Sequence, residues 1–189
     1  MITVIHPQDK TTAVLQGLYQ GLDYHLIDES LSDEALRQEL KQANPFEIMM
    51  LLGQGSDKGL FVRADDNQPG FDRILIDRLH DYYLCRQHRL IGIWSHADLF
   101  AKENHLSGLF TGRWITTLSE AYAYGVETSQ EELDRERAQF VMRLRSLIDE
   151  GLPLSEIPER LRAMDEVHSP LTDFNYKAVY YIHFKLYDC

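Results

Sequence analysis

The apolar run Ile48 to Leu52, IMMLL, ends on Gly53 and constrains the fold more than any other stretch of the chain. An unbroken apolar run with turn residues at both ends suits a strand covered on both faces, as in a sheet packed between helices. Behind it come Gly53-Gln54-Gly55-Ser56-Asp57-Lys58-Gly59 and a second short apolar run, Leu60 to Val62. The order reads as buried strand, glycine-rich loop, short strand. Leu90 to Trp94 is a second buried run and ends in Ser95-His96-Ala97-Asp98. In open sheets of this kind, ligands gather beyond the carboxyl ends of the strands. A site is therefore expected where Gln54 to Lys58 meets Ser95 to Asp98.

The remaining segments alternate between strand and helix patterns. Ile2 to Ile5 and Tyr24 to Ile27 read as strands, with a helix over Thr11 to Leu22 that Gly17 weakens. Ser30 to Ala43 reads as a helix: Ser32 is its N-cap, Asp33 and Glu34 favour its positive end, and Asn44-Pro45 stops it. Arg63 to Gly70 is a polar loop, and Ile74, Leu75, Leu79, Tyr82 and Tyr83 give Phe71 to Arg86 a helical apolar face. The glycines at 108 and 112 place a loop over Ser107 to Arg113, followed by a helix through Tyr124 that Gly125 ends. Ser129 to Glu150 is a long amphipathic helix, Pro153 to Met164 a shorter one, and Lys177 to Ile182 a strand.

Alternating strands and helices give an α/β fold of three layers, a mostly parallel central sheet with helices on both faces. We expect an α/β core over residues 1–127 and a C-terminal helical extension over 128–189, packed on the core as a lid, an arm or simple covering. A chain of 189 residues, 44% hydrophobic, buries enough to fold without staples. Its net charge of −11 opposes binding to a phosphate backbone, so nucleic acid is not an expected partner. No segment approaches the roughly 20 apolar residues that cross a bilayer, and MITVIHPQDK lacks the order of a signal peptide, so a cytoplasmic protein with no membrane partner is expected. Cys85 and Cys189 have no metal-ligand spacing and are expected as thiols.

The order of these elements resembles that of the caspase-like (clan CD) cysteine peptidases. The likeness covers Glu47 to Gly125 and rests on the strand, the Gly-flanked polar loop with its hairpin, a helix, and a second buried strand with a reactive position at its end. In that family the first loop carries a His-Gly pair and the second the nucleophilic cysteine. Here those positions fall on Gln54-Gly55 and on Ser95 or His96. Gln54 holds no proton in the neutral range, and Ser95 without a base is a poor nucleophile. The resemblance thus implies a member of the fold without peptidase chemistry, binding a peptide or protein in the old cleft.

Three other readings use the same residues. A small hydrolase would take Ser56 or Ser95 as nucleophile, with His96 as base and Asp98 orienting it. Gly53, Gly55 and Gly59 with Ser56 and Lys58 would form an anion-binding turn, although the spacing is not that of a phosphate loop, and a plain hairpin turn is the simpler account. Arg113, between Gly112 and Trp114, suits a carboxylate or phosphate as well as a surface acid. His96, Asp98 and His105 lack metal-ligand spacing, so neither a metal nor a cofactor is expected. The mixed charges of Glu131 to Arg145 read as a solvated helix face, and Tyr176, Tyr180, Tyr181 and Tyr187 as an edge strand or a partner patch.

Overall fold

The computed structural model describes residues 1–63 and 70–184, so the expected polar loop lies largely outside the described residues, as do Tyr187 and Cys189. Nine strands and seven α-helices are assigned among the described residues. Strands β1 (Ile2–Ile5), β2 (Tyr24–Ile27) and β3 (Ile48–Leu52) come first, with α1 (Asp33–Gln42) between the second and third. A hairpin of β4 (Gln54–Ser56) and β5 (Gly59–Val62) follows, and then β6 (Arg73–Ile76) and α2 (Asp81–Leu84). After β7 (Arg89–Ile93) come α3 (Ala97–Glu103), β8 (Gly108–Thr111) and α4 (Leu118–Ala123). The chain continues through α5 (Gln130–Asp149), α6 (Ile157–Ala163), α7 (Pro170–Lys177) and β9 (Val179–Ile182).

Six strands form one sheet in the order β2-β1-β3-β7-β8-β9. The first five are parallel, and β9 closes the edge antiparallel to β8. All five residues of β3 are buried, and the twofold strand period sends them to opposite faces. Ile48, Met50 and Leu52 join Leu15, Leu18, Phe140, Leu144 and Tyr176 on one side. Met49 and Leu51 join Leu36, Leu40, Leu84 and Phe100 on the other. The molecule is therefore an α/β protein of three layers. The 128–189 segment supplies three helices to the first face and an edge strand to the sheet itself.

Two segments differ from the sequence expectation. The span from Phe71 to Arg86 is not one helix. Its first part is β6, which pairs antiparallel with β5 in a separate three-stranded sheet, β4-β5-β6. Asp77 then caps a short 3-10 turn at Arg78–His80 that leads into α2, accepting from the Leu79 N–H at 2.9 Å. Ile74 and Ile76 fit strand as well as helix, and the open edge of the hairpin decided between them. Likewise Gly108 to Thr111, expected as loop, is a buried strand. A side chain at Gly108 would overlap the Leu90 carbonyl, so that glycine permits close strand approach rather than ending an element. The helix expected over Thr11 to Leu22 is a 3-10 helix, Ala13–Leu18, where Gly17 admits Val141 of α5.

Candidate functional site

The two loops singled out in the sequence leave neighbouring parallel strands at the same level. Leu52 is in register with Ile93, and the Gly53 N–H continues the ladder to the Ile93 carbonyl at 3.2 Å. Gln54 and Ser95 each lie two residues further on. Both line one narrow depression, together with Thr11, Trp114, Glu120 and Arg137. Strand β1 sits between β2 and β3, so the strand order reverses between β1 and β3, next to this pair. Open α/β sheets place ligands beyond the carboxyl ends of their strands.

Thr11 was not legible as a site residue, yet it spans that crevice. The Gln54 side-chain amide donates to the Thr11 hydroxyl at 2.8 Å. Thr11 in turn donates through its hydroxyl and its N–H to Asp9, at 2.5 and 2.7 Å. The Arg137 guanidinium of α5 donates to the Thr11 carbonyl. One N–H of the Gln54 amide is thus engaged, and its second N–H and its oxygen are left to pair with a ligand. Ser95 is half-buried, and its side chain makes no hydrogen bond among the described residues.

The hairpin locks against the second strand end through Trp94. Its indole N–H donates to the Ser56 carbonyl at 2.9 Å, and a side chain at Gly55 would overlap the indole. Gly55 is therefore a point of close approach. Gly59 has φ +132, and a side chain there would overlap the Ile76 carbonyl oxygen. Gly53 lines the depression, with φ +149. The Ser56 hydroxyl accepts from the Lys58 N–H at 3.0 Å inside the hairpin turn. Lys58 itself is exposed and pairs with Asp57 at 3.1 Å and Glu103 at 3.6 Å. The glycines and Ser56 thus account for a hairpin and its packing.

His96 and Asp98 face a different cleft, of about 390 Å³, shared with Leu99, Arg113, Lys177 and Tyr180. His96 takes a left-handed conformation, φ 70, as it enters α3, and its N–H donates to the Gly112 carbonyl at 2.9 Å. Asp98 is buried and accepts from Lys102 at 2.8 Å. Among the described residues, no hydrogen bond joins His96 to Asp98, Ser56 or Ser95. The His105 ring packs edge-on against Phe184.

Three metal-ligating groups do converge elsewhere, Asp165, His168 and Asp173, with one ligand atom from each within 4.8 Å of the others. The Asp165 carboxylate is already engaged there by the N–H groups of Val167 and His168 and by the Thr172 hydroxyl. These bonds account for it as a brace before α7.

Two buried titratable groups flank the sheet. His6, at the end of β1, lies 3.0 Å from the Tyr19 hydroxyl and 3.3 Å from that of Thr12, and burial pushes its pKa down to about 4. Glu136 of α5 is buried with neither carboxylate oxygen partnered, and burial pushes its pKa up to about 7. The nearby Asp165 and Glu132 add to that rise, while Arg143 and Arg135 oppose it.

The fold and this pair of strand ends define an α/β protein with its candidate site at the carboxyl edge of a mostly parallel sheet. No protein-family model matches the chain, and none of the curated proteins matches its sequence. Among the described residues, no helix is long and apolar enough to cross a membrane.

Proposed function

We propose that the chain is a non-catalytic protein of the caspase-like fold that binds a peptide or protein partner, in the cytoplasm, where the ends of β3 and β7 meet. The observation that carries this reading is the register of Leu52 with Ile93, which sets Gln54 and Ser95 at equal distances beyond adjacent strands and in the wall of one depression. Those are the two positions at which the resembled family carries its histidine and cysteine. Neither residue moves a proton near neutral pH, whereas both offer hydrogen bonds to a peptide backbone. The hydrolase alternative needs His96 beside a serine and Asp98 oriented toward it. Asp98 is instead engaged by Lys102, which favours binding over turnover.

The test is a displayed peptide library panned on the wild-type protein and on Ser95→Trp, which fills the depression. Peptides retained by the wild type and lost by the variant support the reading, provided that circular dichroism shows both proteins folded. Turnover of any retained peptide that disappears in His96→Ala would replace the binding reading by the hydrolase one.

A further inference from the structure

Helix α5 buries Leu133, Phe140, Leu144 and Leu147 along one stripe, and Glu136 falls on that stripe at helical spacing. It is 2% exposed, and neither carboxylate oxygen has a hydrogen-bond partner among the described residues. A carboxyl group sealed in this way is stable only as the neutral acid or beside a cation. Burial accordingly pushes its pKa up to about 7.

The charges around Glu136 decide between those two states. On its own helix Glu132 adds negative charge, while Arg143 and the exposed Arg135 add positive charge. Arg137 turns away to the Thr11 carbonyl. The 3-10 helix packed on α5 carries no charged residue, and α6 keeps Glu159, Arg160 and Arg162 exposed. Asp165, in the link between α6 and α7, adds a second negative charge and is itself engaged by Thr172, Val167 and His168. From α7 the facing group is Tyr176, pushed up to about 12 by burial and then by the Glu136 charge, so it stays neutral. Arg143 is the cation left to pair with Glu136, and it is already engaged. Its Nη1 donates to the Tyr176 hydroxyl at 2.6 Å, and its guanidinium carbon lies 5.6 Å from the centre of the Tyr176 ring.

The same tyrosine seats α7 on α5. Tyr176 is buried and packs on Phe140, with ring centres 5.9 Å apart. One cation thus stands between two acceptors, Glu136 on its own helix and Tyr176 across the interface. From α7 the chain runs directly into β9, and Phe174, Lys177, Ala178 and Tyr180 of this segment form a wall of the cleft that holds His96.

We propose that Glu136 and Tyr176 compete for Arg143, so that loss of the Glu136 proton draws the guanidinium away, unseats α7 from α5 and loosens that wall of the cleft. With the proton on, the neutral acid leaves Arg143 to the tyrosine and α7 stays docked. With the proton off, the anion takes Arg143, because a charge-assisted pair is stronger than a bond to a neutral hydroxyl. The switch acts whether or not the cleft binds a peptide. Its sign follows from the two states: the docked one holds the proton up to about pH 7, the open one releases it near the ordinary value of 4.5, so opening is favoured as pH rises. Between pH 6 and pH 8 the two values make opening about tenfold more favourable.

Amide hydrogen exchange at pH 6 and pH 8, corrected for the intrinsic exchange rate, reads this opening. In the wild type, protection of α7 and β9 is expected to fall about tenfold at pH 8, as calculated above, with that of α1 on the opposite face of the sheet unchanged. Glu136→Gln keeps the size of the side chain and cannot ionise, so α7 should be equally protected at both pH values. Tyr176→Phe keeps the ring and removes the competing hydroxyl. Arg143 then serves Glu136 with α7 still docked, and most of the pH dependence should disappear. An equal fall in α1 reports unfolding of the whole chain, and unchanged protection of α7 reports ionisation in place; either overturns the switch. Full pH dependence persisting in Tyr176→Phe overturns the competition for Arg143.

Discussion

The hydroxyl of Thr111 closes both backbone groups of Trp94: it accepts from the Trp94 N–H at 3.0 Å and donates to the Trp94 carbonyl at 2.8 Å. The backbone ladder between β7 and β8 ends at Gly92 with Phe110, so a side chain takes over where the strands diverge. Thr111→Val keeps the shape and leaves the Trp94 N–H without a partner, while the Trp94 carbonyl keeps the Ala97 N–H at 3.2 Å. The expected loss is about 1–3 kcal/mol in denaturant unfolding, while Thr111→Ser, which keeps the hydroxyl, loses no more than about 1 kcal/mol.

Substituting the two strand-end residues tests their proximity without any knowledge of a ligand. In a background with Cys85→Ser and Cys189→Ser, Ser95→Cys supplies a single thiol beside residue 54. Adding Gln54→His is expected to lower the thiol pKa and to speed its alkylation by iodoacetamide at pH 6 by about tenfold, as an adjacent imidazole does for a thiolate. An unchanged rate would place the two side chains out of reach of each other.

The pH dependence of stability should contain two opposing terms. The folded pKa of Glu136, raised to about 7, means that the folded state holds a proton that the unfolded chain releases above about 4.5. Stability from this group is therefore lost as pH rises from about 4.5 to 7. His6 works in reverse: with its folded pKa lowered from 6.5 to about 4, the unfolded chain binds the extra proton, and stability is lost as pH falls through that window. Glu136→Gln should remove the first term alone. We expect a gain of roughly 2 kcal/mol at pH 8 and little change at pH 4.5, measured by urea unfolding.

Gly59→Ala should cost the hairpin its pairing. The backbone there has φ +132, and the added methyl meets the Ile76 carbonyl oxygen of β6. Overpacking and an incompatible backbone together are expected to destabilise by about 2–4 kcal/mol, with hydrogen-exchange protection lost first in β5 and β6. Gly125→Ala is a useful contrast: its φ is +68, but nothing lies near the added methyl, so only the backbone preference is lost.

The parts of the fold that were legible in sequence are those whose signal is local. Ile48 to Leu52 and Leu90 to Ile93 are unbroken apolar runs, and both are fully or mostly buried parallel strands. Ser32 was readable as a cap because its hydroxyl accepts from the Ala35 N–H at 3.3 Å, a bond within one turn. Ile74 and Ile76 were misread because their pairing partner, β5, decides their conformation from outside the segment. Glycine misled at 108, where the close approach of Leu90 is the reason for it and no local pattern reports that. For the site, strand ends pointed to Gln54 and Ser95. Thr11 and Arg137 reach the same place from 43 and 83 residues away from Gln54, through contacts that only the folded chain creates.

The antiparallel edge strand β9 bears on how the chain is made. A ribosome releases β8 about 70 residues before Val179, the start of its last partner, and before α5, which covers Met50 and Leu52. Through that interval the nascent sheet carries a bare apolar face and an unpaired edge, both open to other chains. Helper proteins that shield such surfaces during synthesis therefore have most to do here between Thr111 and Val179, and a chain cut short before Val179 should be recovered in aggregates rather than as a smaller folded unit.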